Sequence, residues 1–222
     1  MKANGSSAPS VSLEYSTDGN TWSPFVVGTT TVNLANIWDK MYMRATDAGN
    51  TGMGNSNSNY NQFVMNGKIS ASGNVDTLLD QNGNATLTEW CYSNMFKDCT
   101  SLTTAPELPA TTLAYECYTG MFQGCSSLTS APTLPATTLE YGCYKEMFSR
   151  CSSLTTPPEL PATTLADDCY SYMFSGCTSL TSAPELPATT LANYCYFSMF
   201  SSCDSLTTAP ELPATTLAEG CY

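Results

Sequence analysis

The stretch CYSNMFKDCTSLTTAPELPATTLAYE, residues 91–116, is the first whole copy of a tandem unit 26 residues long. The unit restarts at Cys117, Cys143, Cys169 and Cys195, and a further copy begins at Cys221 and runs to Tyr222. Each whole copy reads C-Y-x-x-M-F-x-x-C-x-S-L-T-x-x-P-x-L-P-A-T-T-L before three looser residues. A fixed period of this length is the mark of a solenoid, in which each repeat buries its apolar face only against its neighbours.

Within a copy the apolar residues fall into two halves. In TTLAYECYTGMFQGC (111–125), Leu113, Cys117, Tyr118, Met121, Phe122 and Cys125 recur at i, i+4, i+5, i+8, i+9 and i+12. That spacing predicts a helical stripe, N-capped by Thr111 or Thr112 and ended near Gly124. In SLTSAPTLP (127–135), Leu128, Ala131 and Leu134 point inward, and the prolines exclude a helix. A short strand over 128–131, ending at Pro132, predicts a parallel sheet running up the stack at about 4.8 Å per turn. The expected fold class is therefore an α/β solenoid, with a short parallel strand and a helix in each repeat, preceded by a small all-β domain.

Working outward from the array, the domains read as a loose N-terminus (1–10), a small sandwich-like β-domain (11–76), a half-repeat cap (77–90) and the solenoid (91–222). VSLEYS (11–16) alternates Val11, Leu13 and Tyr15 on one face, as a half-buried strand does. Asp18-Gly19 is a hairpin turn signal. WSPFVV, TTTVNLA and KMYMRAT read as further strands, the first an edge strand or a bulge because it holds Pro24. DAGNTGMGNSNSNYN (47–61) reads as a long loop, whose Asn-rich part from Asn50 to Asn61 is either a binding loop or a solvated connection. QFVMNGKISASGNV (62–75) reads as a hairpin turning at Asn66-Gly67. The segment ATLTEW (85–90) aligns with TTLAYE (111–116), which places Trp90 over the first turn. Asn84-Ala85-Thr86 has the form of a glycosylation acceptor.

Charge and composition remove whole classes of function. Seven Lys and Arg face nineteen acids, a formal charge of -12. Phosphate backbones need a basic footprint, and anionic lipid needs a polybasic segment, so neither nucleic acid nor a membrane surface is an expected partner. No apolar run nears the ~20 residues of a membrane helix. The start of the chain lacks the apolar core of a signal peptide. The array stops two residues into a copy, which reads as a protein that continues beyond Tyr222. The edge left open over 195–222 is expected to promote end-to-end self-association.

The chain has eleven cysteines and no histidine. Ten of the cysteines form pairs eight apart, one pair per repeat. On a helix such a pair lies roughly 12 Å apart, beyond the roughly 4.4–6.8 Å that a disulfide spans. Bridges between equivalent cysteines of neighbouring turns would have two identical choices at each position. Free, buried thiols acting as small apolar residues are the expectation. No C-x-x-C spacing supports zinc, and no D-x-D-x-D-G series supports Ca²⁺ at Asp18 or Asp47. No cofactor, metal or catalytic residue is expected. The cysteines lack a histidine to activate them, and a repeating acid column gives identical environments instead of the contrasting pair that acid–base catalysis needs.

The motif MFxGCxSLTxAPxLP resembles the BspA-like, or treponemal-type, leucine-rich repeats of bacterial surface proteins. Those pair Ala/Met-Phe with Cys, then Ser-Leu, then a strand ending in an apolar-x-Pro. The resemblance covers residues 90–222, about 60% of the chain. This unit departs from the family pattern. It is longer, it carries Pro106, Pro132, Pro158, Pro184 and Pro210 in its strand half, and PATTLAxxCY replaces the usual lead-in. Arrays of this flavour resemble those of gut Bacteroidetes surface proteins and their phages. The resemblance implies a non-enzymatic interaction protein, extracellular or on the cell surface, that binds protein or glycan on a host or bacterial surface. The alternatives are a phage tail or receptor-binding component in a virion, and a structural spacer.

Two surfaces are candidates for binding. The positions that vary between copies flank Cys-Tyr and Met-Phe, and are read as a solvent-facing helical face. Tyr115, Tyr141, Tyr172, Tyr194 and Phe197 lie there, and exposed aromatics are typical interface anchors. The opposite face is read as a hydroxyl and carboxylate lattice that includes Thr104 and Thr156 with Glu107, Glu159, Glu185 and Glu211. Thr133 interrupts its acid column.

Overall fold

The computed structural model describes residues 1–47 and 49–222. The α/β class with a helix in each repeat, and with it the helix-bearing leucine-rich-repeat solenoid, is overturned. Among the described residues the helical element is a single 3-10 turn, Val75–Leu78. The chain is built instead from turns, small sheets and isolated bridges.

The C-Y-x-x-M-F-x-x-C segment is a chain of turns. Within the first coil the amides of Ser93, Met95, Lys97 and Cys99 donate to the carbonyls of Trp90, Tyr92, Asn94 and Phe96, three residues back, at 2.9–3.3 Å. The alternate amides point along the stack. Tyr92, Asn94, Phe96 and Asp98 donate to the carbonyls of Cys117, Thr119, Met121 and Gln123 in the next coil, at 2.7–2.9 Å. The same alternation recurs in the following coils. An α-helix would send every amide to the carbonyl four residues back. It is excluded here because every fourth residue is left-handed: Trp90, Asn94 and Asp98 have φ of 60°, 57° and 55°. A positive φ at the third residue is the type II turn pattern.

The turn chain still satisfies the apolar spacing, because four residues per two turns returns the Cys, Tyr, Met and Phe side chains to the inside. Tyr92, Tyr118, Tyr144, Tyr170, Tyr196 and Tyr222 stack with centroids 5.5–6.0 Å apart. Phe96, Phe122, Phe148, Phe174 and Phe200 stack beside them at 5.5–5.8 Å. Columns of Met, Cys and Leu complete a continuous buried core.

The strand half is thinner than its pattern suggests. A strand forms only in the first coil, β8 (Leu102–Thr104); above it, single parallel bridges link Thr104 to Ser130 and Ser130 to Thr156. Two residues beyond the bridging Thr104, Ser130 and Thr156 stand Pro106, Pro132 and Pro158, each of which removes the donor that would extend the ladder.

The N-terminal region forms two antiparallel sheets. One is ordered β1 (Lys2–Asn4), β6 (Asn59–Gln62), β5 (Gly54–Ser56), and the other β3 (Ser23–Phe25), β2 (Leu13–Ser16), β4 (Tyr42–Ala45). Pro24 lies in the edge strand β3. The stretch read as a loop over 47–61 holds the β5–β6 hairpin, with Ala48 outside the described residues. TTTVNLA is not a strand. The hairpin expected at Asn66-Gly67 is replaced by β7 (Ile69–Ser70), which pairs in parallel with β8. Residues 53–75 thus act as a layer beneath the first coil. The amides of Met53 and Phe63 donate to Cys91 and Met95 carbonyls at 2.6 and 2.8 Å. Phe63 stacks on Phe96 at 4.8 Å, extending the phenylalanine column by one ring. Trp90 lies at the coil edge beside Tyr115, so Phe63 and Met53, not Trp90, cover the end of the core.

All eleven cysteines are free and buried. The thiols of Cys125, Cys151, Cys177 and Cys203 donate to Phe carbonyls of the preceding coil at 3.0–3.1 Å. Burial pushes the Cys99, Cys117 and Cys177 thiols up to about 12. The thiolate is the reactive form, so these groups are inert while the coils stay stacked. Native-state alkylation at neutral pH, read by mass spectrometry, is expected to leave the inner cysteines 117–177 unmodified, and the same reagent in denaturant is expected to label them all.

Candidate functional site

Three columns of left-handed residues run up the turn-chain face. One holds Trp90, Glu116, Gly142, Asp168, Tyr194 and Gly220; the next holds Asn94, Gly120, Glu146, Tyr172 and Ser198; the third holds Asp98, Gly124, Arg150, Gly176 and Ser202. All have φ between 47° and 77°. Left-handed backbone costs an L-residue roughly 1–2 kcal/mol, and glycine escapes that cost. Glycine at some levels also makes room for the coil below. A Cβ on Gly142 would lie 2.8 Å from Cγ of Glu116, so that side chain lies across the glycine. Glycine therefore serves every column, yet several levels carry large side chains in the strained conformation.

The variable positions are not uniformly exposed. Ser93, Asn94, Thr119 and Ser171 are buried, against the reading of a fully solvated face. The aromatic candidates separate into two groups. Tyr115 and Tyr141 stack face to face at 4.9 Å and 5°, with Trp90 tilted against Tyr115 at 5.5 Å. Tyr172, Phe197 and Tyr194, which lie on two neighbouring coils, meet edge to face. Phe197 is 5.3 Å from Tyr172 at 83° and 5.7 Å from Tyr194 at 79°. Beside Tyr172 a shallow depression is lined by Gln123, Glu146, Ser149, Arg150 and Ser175. Gln123 donates to Glu146 within it.

Between the two aromatic groups lies a polar network that sequence reasoning missed. Asp168 accepts from Lys145 Nζ at 3.1 Å and from the Tyr141 hydroxyl at 3.0 Å. Glu116 is buried, accepts from Thr119 at 3.3 Å, and has its carboxyl held above the usual range by that burial. Asp76, buried beneath the tyrosine column, is raised for the same reason and accepts from Tyr92. A carboxyl with a raised folded pKa binds its proton more tightly in the folded than in the unfolded chain. Stability then rises as pH falls, with the gain complete below the unfolded values near about 4. Asp18 and Asp39 act in the opposite sense, because backbone amides hold their carboxyls down, but their loss begins only below that range. The urea midpoint is therefore expected to be higher at pH 5 than at pH 7, and the rise is expected to shrink when Asp76→Asn and Glu116→Gln are combined.

The strand-face candidates are scattered in their surroundings. Thr104 is engaged by the N-terminal layer, its hydroxyl donating to Ala71 O at 3.0 Å, and the backbone of Glu107 pairs with Gly73 and Val75. Thr156, Glu159, Glu185 and Glu211 are exposed. Among the described residues no group of three or more His, Cys, Asp or Glu is arranged to hold a metal ion, and no helix is long and apolar enough to cross a membrane.

No protein family, curated protein or solved structure matches the chain. The BspA-like resemblance thus rests on the motif residues alone, in a fold that lacks the helix expected of it.

Proposed function

We propose that the chain is a non-enzymatic recognition module that binds a partner protein through the Tyr172–Phe197–Tyr194 end of its turn-chain face, at a cell surface or outside the cell. One observation carries the reading. Tyr172 and Tyr194 hold φ of 55° and 54°, a conformation that Gly120 and Ser198, or Gly142 and Gly220, occupy in the same columns without a bulky ring. Strain kept where the fold does not require it points to use. Aromatic rings clustered on a surface are the usual anchors of protein interfaces. A glycan platform fits less well, because sugars stack on ring faces and the Tyr115–Tyr141 pair turns its faces on each other. An enzymatic role has little to build on, since the cysteines are buried and no histidine exists to act as base.

The test is an array of surface proteins and glycans probed with the native chain, with a variant carrying Tyr172→Ser, Tyr194→Ser and Phe197→Ser, and with Glu159→Gln/Glu185→Gln. Serine already holds the left-handed conformation at Ser198 and Ser202, so the backbone accepts the first set. Binding to proteins is expected to fall at least about tenfold in the aromatic variant, the loss of roughly 1.4 kcal/mol that one anchor supplies, and to persist in the glutamine variant. Binding that survives the aromatic changes, or that is confined to glycans, would contradict the proposal.

A further inference from the structure

The three rings and their rim specify a chemistry as well as a place. Edge-to-face packing sets the positive edge of one ring against the negative face of another, and the Tyr194 ring lies across Gly220 of the next coil. Tyr172 and Phe197 are half-buried, and Tyr194 is 36% exposed. The rim is acidic. The Tyr194 hydroxyl donates to Glu219 Oε1 at 2.7 Å. On the coil below, Asp167 accepts from the Asn193 amide at 2.9 Å. Ion pairs among the described residues are Arg44–Glu14 and Lys145–Asp168, so Glu219 and Asp167 have no basic partner among them. From Cys91 onward the chain has three Lys or Arg against twelve Asp or Glu. Arg150, the basic group in the depression beside Tyr172, shares it with Glu146.

Resting on the recognition reading above, we propose that the Tyr172–Phe197–Tyr194 cluster seats a cationic side chain, an arginine or lysine on a basic segment of the partner protein. Ring faces attract cations through their quadrupole, and unpaired carboxylates at the rim add the same sign of preference. The apolar ring bodies would take the methylene stem, as long cationic side chains bury their stems against apolar surface.

The test follows ring resonances of the full chain by NMR during titration with Nα-acetyl-arginine amide, at low salt. Nα-acetyl-citrulline amide serves as the uncharged analogue of the same shape. The arginine derivative is expected to shift the Tyr172, Tyr194 and Phe197 signals, and the citrulline derivative to bind about two- to fivefold more weakly. Phe197→Leu keeps apolar bulk but loses the ring face, and is expected to lose that discrimination. Tyr115→Ser is expected to retain it. Unchanged signals from Tyr144 and Phe148 show that the coils are intact in each variant. Equal response to both compounds, or discrimination that survives Phe197→Leu, would overturn the proposal. Array binding that depends on the three rings, with no response to the arginine derivative, would overturn the cation while leaving protein recognition standing.

Discussion

Phe148→Ala is expected to lower the unfolding free energy by about 3–5 kcal/mol, the usual cost of emptying a closed aromatic site. The ring has no exposed surface and lies between Phe122 at 5.7 Å and Phe174 at 5.8 Å. Its coil holds its neighbours through alternate amides: Phe122 donates to Met147 O and Phe148 to Met173 O, both at 3.0 Å. Those backbone bonds resist collapse of the coils into the space left behind. In a stack, each coil contacts only its neighbours, so stability is close to a sum of interface terms. A defect at mid-stack should therefore loosen the two halves from each other. Urea unfolding followed by tyrosine fluorescence is expected to broaden or split in this variant. Phe200→Ala, at a half-buried ring with one stacked neighbour, is expected to cost clearly less and to leave the transition sharp. Equal effects at the two sites would mean that the stack does not behave as a series of interfaces.

One substitution made one repeat apart is expected to change stability in opposite directions. The Tyr92 hydroxyl donates to Asp76 Oδ1 at 2.9 Å, and both groups are buried. Tyr92→Phe strips a buried carboxylate of its donor, and hydrogen bonds to charged groups contribute about 1.5–3 kcal/mol. The Tyr118 hydroxyl is buried with no partner. Tyr118→Phe keeps the ring stacked between Tyr92 at 5.5 Å and Tyr144 at 5.9 Å and removes only the unpaired group. It is expected to be neutral or to stabilise by about 1 kcal/mol. The cost of Tyr92→Phe should shrink as pH falls toward 5, because a protonated Asp76 has less need of the donor. Thermal melts of the two variants at pH 7 and pH 5 check both statements. A loss at both positions would mean that Tyr118 has a partner that the stacked rings conceal.

How much of this the residues disclose depends on whether the interaction is repeated. The columns of Tyr, Phe and Cys are readable from the period, since identical residues one coil apart must meet when coils stack. The local conformation is not readable from apolar spacing. Positions 1, 2, 5, 6 and 9 of the unit fit a helical stripe, and they fit equally a chain of turns with a repeat of four. The distinguishing signal is glycine. Gly120, Gly124 and Gly176 lie at fourth and eighth positions, and Gly142 and Gly220 at the last, always four apart. A helix interior disfavours glycine, whereas a left-handed residue at every fourth position favours it. Reading Gly124 alone as a helix end missed that the glycines form a series.

The layer beneath the first coil was not legible, because Met53, Phe63 and Val75 imitate a coil with unrelated spacing and meet it over long sequence separations. The same cause ties the Thr104 hydroxyl and the Glu107 backbone to the N-terminal layer, although the Glu107 residue stays exposed. Tyr172, Tyr194 and Phe197 were visible as variable aromatics, and the stack explains why they meet. The amide of Tyr172 donates to Phe197 O, and that of Phe197 to Tyr194 O. Glu116, Lys145 and Asp168 were not recognised as a unit, because they belong to three successive coils and share no motif.

The alternation of within-coil and between-coil hydrogen bonds is the feature from which the core, the left-handed columns and the meeting of Tyr172, Phe197 and Tyr194 all follow. Trans-hydrogen-bond scalar couplings on the uniformly labelled chain test it most directly. The structure requires a coupling from the Tyr144 amide nitrogen to the Cys169 carbonyl, and another from the Met147 amide to the Tyr144 carbonyl. A coupling from Tyr144 to the carbonyl of Glu140, four residues back, would restore the helix and contradict the account.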